Sequence, residues 1–588
     1  MQVSKPRLSW ILRSEGDRGK RQTAYQLLVS DNPDKLRNNV GNFWDTEKVI
    51  SDNSVSVEYN GKKLNSGSCY YWKVRVWDER DSPSDFSQVA SWEMGLLNSD
   101  DWGAKWVEGN NLLRTEFDLA GPPVKARAYV SSLCYYELRI NGEKIGDRVL
   151  DPAPSDTSKR VYYAVFDITS VLRVGRNAIG LMLGEKKEGW HKAIVQLIFE
   201  DERGIKKLVG SDEIWETTEE GPIVSSDLYD GETYDARLEK NGWDCPNFPE
   251  RWKRCKIATV SGIGKLVSSS FFPPIRVVKS LRPSQVTESF PGVYIFDFGQ
   301  NFSGWAKLRV EGPIGTEVTM EFAELLNPDG TLNQGTNRAA KATDVYILKG
   351  SGVEEYEPRF TYHGFRYVKL LGFPGVPTME TLEGRFVHTD VESSGSFLCS
   401  DDLLNSIHRN TVWSQLSNLM GIPTDSPQRN ERLGWLQDAM LSAEVATMNF
   451  WMPGFFEKLL DDILDSQLED GAIADVVPSF GERYPADSSC GATYIAIAWT
   501  VYELYGDRRA LENHYLGMKK WVEFEISKSK DFILNLSKYW DWCAPGHVKP
   551  VETPGELIST FWFHQNCSRL AEIARVLSNL EDYERYSR

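Results

Sequence analysis

The chain has 588 residues, of which 41% are hydrophobic and 26% charged, and a formal net charge of −17. That acidity excludes nucleic acid as the principal partner, because neutralising phosphates takes clustered lysine and arginine. The length predicts roughly four domains, and no run of 18 apolar residues is present to cross a membrane.

The opening residues, MQVSKPRLSWILRSEGDRGKRQ, lack the apolar stretch and small-residue cleavage site of a secretory signal, so a cytoplasmic chain is expected. Residues 1–97 then read as a β-sandwich of the immunoglobulin or fibronectin type III kind. TAYQLLVS and YYWKVRVWDE alternate apolar and polar residues between clusters of Gly, Asn, Asp and Ser. In the second run, Trp72, Val74 and Val76 are expected on one face, and Lys73, Arg75 and Trp77 on the other. Residues 98–265 form a second β region, where Asn141-Gly142 predicts a tight hairpin. A third spans 266–393 and includes YIFDFGQNFSGWAKLRVEG and EVTMEFAELLNPDGTLN. Its Asn327-Pro328-Asp329-Gly330 reads as a hairpin turn, since the ligand spacing of a calcium loop is incomplete.

From about residue 394 the period changes to that of helices. DDLLNSIHRNTVWSQLSNL, FFEKLLDDILDSQLED, ATYIAIAWTVYELYGD and GELISTFWFHQNCSRLAEIARVL carry apolar residues at i, i+3, i+4 and i+7, and six or seven helices are expected before Arg588. Eight cysteines without CxxC spacing and seven histidines without HExxH or HxH spacing predict free thiols, no metal and no other cofactor.

The densest chemistry lies in GIPTDSPQRNERLGWLQDAM, residues 421–440, where Pro423 and Pro427 keep the first part from being a helix. Glycoside hydrolysis needs one carboxylic acid to protonate the leaving oxygen, and a carboxylate to activate water or attack the sugar. Glu431 suits the acid, with Asp425 and Asp438 expected to keep it neutral by like-charge repulsion. Arg429 can fork onto vicinal hydroxyls or a carboxylate, and Trp435 offers a flat apolar wall. Asp438 falls at the start of the next helix. Composition alone fits equally well a solvated charged loop in which Asp438 favours a helix N-terminus.

DSPQRNERLGWLQDA resembles the DCPQRDERLGWTGDA stretch of bacterial-type α-L-rhamnosidases, glycoside hydrolase family 78, departing at Ser426, Asn430, Leu436 and Gln437. PRLSW, QTAYQLLVS and YYWKVRVWD resemble the family's fibronectin-like module. YYELRINGEKIGD and LYDGETYDAR resemble its jelly roll, and DFGQNFSGW its next β-sandwich. The resemblance implies β-sandwich modules followed by an all-α (α/α)6-type barrel over 394–588, and inverting hydrolysis of terminal α-L-rhamnose residues from a glycan or glycoside. It makes Glu431 the general acid, and puts Asp425, Arg429 and Asp438 on the rhamnose hydroxyls or beside the acid to tune it. Trp435 becomes one pocket wall, and Trp542, in YWDWCAP beside the family's GDWLAP, a second.

Two departures qualify the likeness. SSCGAT replaces PAWGDA, so Cys490 and Ala492 stand where a pocket Trp and an Asp are expected. The family's catalytic base is a Glu well over two hundred residues beyond the acid, past Arg588. An incomplete barrel, a separate chain supplying its remainder and low activity of this chain are therefore expected. A non-catalytic rhamnose- or glycan-binding protein and another (α/α)6 inverting glycosidase stand as alternatives.

Overall fold

The computed structural model describes residues 1–14, 19–184, 191–479, 481, 483–539 and 541–588. The chain divides into two compact units, Met1–Gly103 with Leu266–Phe271, and Ala104–Lys265 with Phe272–Arg588.

In the first unit, strands Trp44–Asp45, Ala24–Ser30, Cys69–Trp77 and Ala90–Glu93 lie side by side in that order, all antiparallel. Leu27, Val29, Tyr59, Tyr70, Val74 and Trp92 form the core, with Trp72 and Val76 packed against it as the alternation requires. The opposite face is not free. Lys73 and Trp77 are buried too: the short helix α1 (Pro33–Arg37) and Phe86 lie against Lys73, and Lys48 and Arg75 lie over the Trp77 ring. The Lys73 ammonium reaches the Leu36 carbonyl and Asn39 Oδ1 and lies 4.5 Å from the Phe86 ring centre.

The second unit begins with two antiparallel sheets around one core. Lys192–Glu200, Lys125–Ser132 and Arg160–Asp167 run side by side in one sheet; Tyr136–Ile140, Gly175–Leu183 and Leu112–Leu119 do so in the other. Asn141 (φ 53°) and Gly142 (φ 90°) close the hairpin between Tyr136–Ile140 and Glu143–Lys144, as the dipeptide predicts.

LYDGETYDAR departs from its expected place. Strand Gly231–Asp235 pairs in parallel with Thr343–Ile347, so the motif belongs to the following sheet rather than the jelly-roll sandwich. Alternation shows that a segment is a strand but not which strand it joins. That sheet runs Gly231–Asp235, Thr343–Ile347, Glu317–Ala323, His363–Leu371, Val293–Glu311, Leu382–Thr389, Ile275–Leu281. DFGQNFSGW lies within Val293–Glu311, where pairing to His363–Leu371 shifts register between Asp297 and Phe302. Asn327 to Gly330 form the turn of a small hairpin, Leu325–Leu326 against Leu332–Asn333, as expected.

Seven helices follow among the described residues: α2 (Asp402–Ser417), α3 (Leu436–Asn449), α4 (Pro453–Ser466), α5 (Ser488–Tyr505), α6 (Arg508–Lys528), α7 (Gly555–Val576) and α8 (Leu580–Tyr586). Their starts follow from local chemistry. Asp401, Asp487 and Asp507 accept from the first backbone N–H groups of α2, α5 and α6, and Pro453 opens α4. Leu460, Ile463, Ile497, Met518, Trp521 and Leu570 anchor the shared core. Among the described residues no helix is long and apolar enough to cross a membrane.

The jelly-roll sandwich is bolted to α4 by charge. Arg160 bonds Asp461 and Asp465, the latter at 2.8 Å, while buried Lys458 donates to the Pro154 carbonyl at 2.8 Å and to Asp462 at 2.6 Å.

Candidate active site

The loop between α2 and α3 is closed on itself before it meets any ligand. Asp425 donates its N–H to the Leu433 carbonyl at 3.0 Å and accepts the Leu433 N–H on Oδ1 at 2.8 Å. Ser426 Oγ donates to the Glu431 carbonyl at 2.7 Å. Arg432 fixes the loop to the β modules: its buried guanidinium donates to the carbonyls of Leu228, Tyr362, Gln428 and Arg429. It also lies 4.6 Å from the Tyr362 ring centre. Its hydrogen bonds thus go to backbone carbonyls of the loop and of the β modules.

Gly434 allows the remaining close approach. A Cβ there would stand 2.0 Å from the Val477 carbonyl oxygen, while Val477 N–H donates to the Gly434 carbonyl at 2.9 Å. Gly434→Ala is expected to destabilise the chain by about 3 kcal/mol, measured as a lowered urea midpoint, because backbone rather than a flexible side chain must move.

Glu431 sits at the loop's tip with its side chain 22% exposed. Trp435 Nε1 donates to its Oε1 at 3.0 Å and Arg338 Nη1 to its Oε2 at 2.6 Å. Arg429 bridges the carboxylates, 2.6 Å from Asp425 Oδ2 and 3.6 Å from Glu431 Oε2. Burial pushes the Glu431 carboxyl up, but the Trp435 hydrogen bond and the two arginines outweigh it and hold the group below the usual glutamate range. The expectation that Asp425 and Asp438 keep Glu431 neutral is therefore overturned: the Trp435 hydrogen bond and the nearby guanidinium groups outweigh the repulsion. The carboxyls that do rise are the two aspartates. Asp425 is raised by burial and then by the Glu431 charge. Asp438, in the first turn of α3, is raised by enclosure and then by the Asp425 charge. Asp438 is nonetheless exposed to solvent, so it lies outside the helical core.

Trp435 immediately precedes α3. One side of its ring meets the Arg483 guanidinium, 4.7 Å from the ring centre, and Tyr539 stands edge-on at 5.4 Å. Trp542, expected as a second wall, is 55% exposed and packs edge-on against Tyr539 at 5.9 Å, one ring removed from Trp435. Tyr539 is itself fixed by Asp475, to which its hydroxyl donates at 3.2 Å; Lys538 Nζ donates to the same oxygen at 2.5 Å. Cys490 and Ala492 are buried in α5, Cys490 within the helical core.

The structure thus brings Glu431, Asp425, Arg429, Trp435 and Asp438 together and sets Trp542 at the margin. It adds Arg338 and Tyr539, which no motif in the sequence singles out. Arg338 is distant in the chain and arrives from a β module; Tyr539 is one of 24 tyrosines. Among the described residues no cluster of His, Cys, Asp and Glu is arranged to hold a metal ion.

Superposed on solved structures, the chain matches an α-L-rhamnosidase from Dictyoglomus thermophilum over its whole length, with a TM-score of 0.97 and 46% identity, covering 69% of that chain. The chain belongs to the bacterial α-L-rhamnosidase family. Residues 392–588 match the family's bacterial α-L-rhamnosidase 6 hairpin glycosidase domain, 287–388 its concanavalin-like domain, and 121–279 its N-terminal domain. Residues 1–98 match a Rha78A-like N-terminal immunoglobulin domain. A Streptomyces avermitilis α-L-rhamnosidase, solved in complex with L-rhamnose, is similar at a TM-score of 0.94 and 28% identity, with 100% of this chain and 75% of that one covered. A Formosa agariphila α-L-rhamnosidase is 34% identical over 99% of this chain. The chain spans 66% of that relative's length. The family resemblance read from the 425–439 loop is thereby borne out, as are β-sandwich modules followed by a helical rhamnosidase domain.

Proposed function

We propose that this chain works on terminal α-L-rhamnosides, with Glu431 as the proton donor to the glycosidic oxygen in an inverting hydrolysis. The observation that carries the reading is the Glu431 carboxyl itself, half-enclosed, held by Trp435 and flanked by Asp425, Arg429 and Asp438. In the inverting scheme the acid gives its proton to the leaving oxygen as the sugar–oxygen bond breaks, and water attacks the opposite face. Asp425, Arg429 and Asp438 bind or orient the rhamnose hydroxyls, and the Trp435 face takes the apolar side of the ring. Trp542 contributes at the rim. The water-activating role is assigned to none of these residues.

The Trp435 hydrogen bond and the two arginines favour the Glu431 carboxylate, whereas a general acid must carry a proton, so substrate has to strengthen proton binding at this group. A bound sugar excludes water, and burial in lower dielectric favours the neutral carboxyl. Calorimetry with L-rhamnose tests the binding half of the proposal. Trp435→Ala is expected to weaken L-rhamnose binding about tenfold, the size of one lost aromatic contact, and Trp542→Ala by less. Equal affinity in wild type and Trp435→Ala contradicts the placement of the sugar.

A further inference from the structure

Glu431 is held at both oxygens in the open site, and the two donors are unlike. The Trp435 indole is rigid: its ring is fixed by Tyr539 on its edge and Arg483 over its face. On the other oxygen the Arg338 guanidinium donates at 2.6 Å, and the Arg338 side chain is 55% exposed at the end of a long stem. Its backbone is unusual. Arg338 has φ 55° and ψ −115°, a conformation that L residues other than glycine rarely adopt. The turn that imposes it is secured on both sides. Buried Asn337 donates its side-chain amide to the Phe322 carbonyl at 2.9 Å, and Ala339 N–H donates to Asn430 Oδ1, inside the active-site loop, at 3.3 Å.

We propose that Arg338 is a positioning residue for Glu431: a latch from the concanavalin-like module that holds one carboxylate oxygen in the open site and releases it when a glycoside enters. The inference rests on the reading of Glu431 as proton donor. Each carboxylate oxygen has two lone-pair sites, so two donors do not by themselves block protonation, but a guanidinium 2.6 Å from Oε2 favours the anion and opposes the proton that an acid must carry. That charge must withdraw. Trp435 is braced by its neighbours, whereas Arg338 can swing into solvent, so Arg338 is the one that yields. The charged groups around Glu431 are Arg338 from the β module, Arg429 and Asp425 from its own loop and Asp438 from α3. Arg483 and Tyr539 meet the far side of Trp435. Arg429 is committed to Asp425 at 2.6 Å, which leaves Arg338 as the cation whose position can change the state of Glu431 alone.

The test is the titration of the Glu431 carboxyl in the full chain labelled with 13C at the glutamate carboxyl carbon, its signal identified by subtraction of Glu431→Gln. Glu431 is held low by the cation, so withdrawing Arg338 makes protonation easier and moves the midpoint to higher pH. Arg338→Met is expected to raise it by about one pH unit, roughly a tenfold gain in affinity for the proton. Arg338→Lys, which keeps the charge but not the fork, is expected to restore most of the shift. A midpoint unmoved in Arg338→Met overturns the proposal, even if the denaturation midpoint falls, since that pattern belongs to a brace between modules. The assignment of Glu431 is read separately. If the titration moves while Glu431→Gln leaves rhamnoside hydrolysis untouched, the latch on the carboxyl stands and the proton-donor reading falls.

Discussion

Glu431→Gln is expected to lower kcat/KM toward an alkyl α-L-rhamnoside by about 10²–10⁴-fold, the usual contribution of a positioned proton donor. An alkoxide is a poor leaving group without a proton, and an amide cannot supply one. The substitution keeps the shape of the site. A glutamine carbonyl can still accept the Trp435 indole N–H, now seen at 3.0 Å, and the Ser426 hydroxyl bonds the Glu431 backbone rather than its side chain. What is lost is the ion pair with Arg338, whose side chain is 55% exposed, and the longer 3.6 Å contact with Arg429; pairs so open to solvent contribute under about 1 kcal/mol each. An unchanged thermal midpoint with a collapsed rate is therefore the expected signature. A solvated charged loop predicts no change in either.

The second large effect is structural. Arg432→Met is expected to destabilise the chain by about 3–5 kcal/mol, since hydrogen bonds from a charged donor are worth about 1.5–3 kcal/mol each and the abandoned acceptors lie buried. Four carbonyls from three segments, at Leu228, Tyr362, Gln428 and Arg429, accept from this one guanidinium, that of Leu228 taking the Thr361 hydroxyl as well. Methionine fills much of the volume but satisfies none of them. Lysine fares little better, because a point ammonium cannot span acceptors arranged for a planar fork. Urea denaturation measures the loss, and L-rhamnose calorimetry should show binding weakened alongside, because Asp425, Arg429 and Glu431 all stand on the loop that Arg432 ties down. A stable Arg432→Met chain with intact binding would mean that the loop is held chiefly by its own internal bonds.

Features set by close neighbours along the chain are legible in the sequence. Asn141-Gly142 makes its hairpin because both residues tolerate positive φ, and Asp401, Asp487 and Asp507 start helices because a carboxylate two or three residues ahead satisfies free N–H groups. The clustering of Asp425, Arg429, Glu431, Trp435 and Asp438 is visible for the same reason: one short loop carries them all. The electrostatic state of Glu431 is not visible there, because Arg338 reaches it from 93 residues away through a backbone conformation that no residue pattern announces. Likewise LYDGETYDAR shows that it forms strands, yet its parallel pairing with Thr343–Ile347 is a long-range choice. Alternation puts Lys73 on the face opposite Val74 but does not show that this face is covered; it is buried because α1 and Phe86 close over it. At Cys490 the family pattern implies a missing wall. The buried thiol instead packs inside the helical core, and the ring that meets Trp435 comes from Tyr539.

Everything functional here turns on whether the side chain at 431 delivers a proton. Comparing Glu431→Gln with wild type on two rhamnosides that differ only in leaving group asks this most directly. With a methyl aglycone the variant should be slowed by orders of magnitude, whereas with 2,4-dinitrophenyl, which departs as a stable anion, the two proteins should run at nearly the same rate. An equal slowing on both substrates, or none on either, would contradict the account.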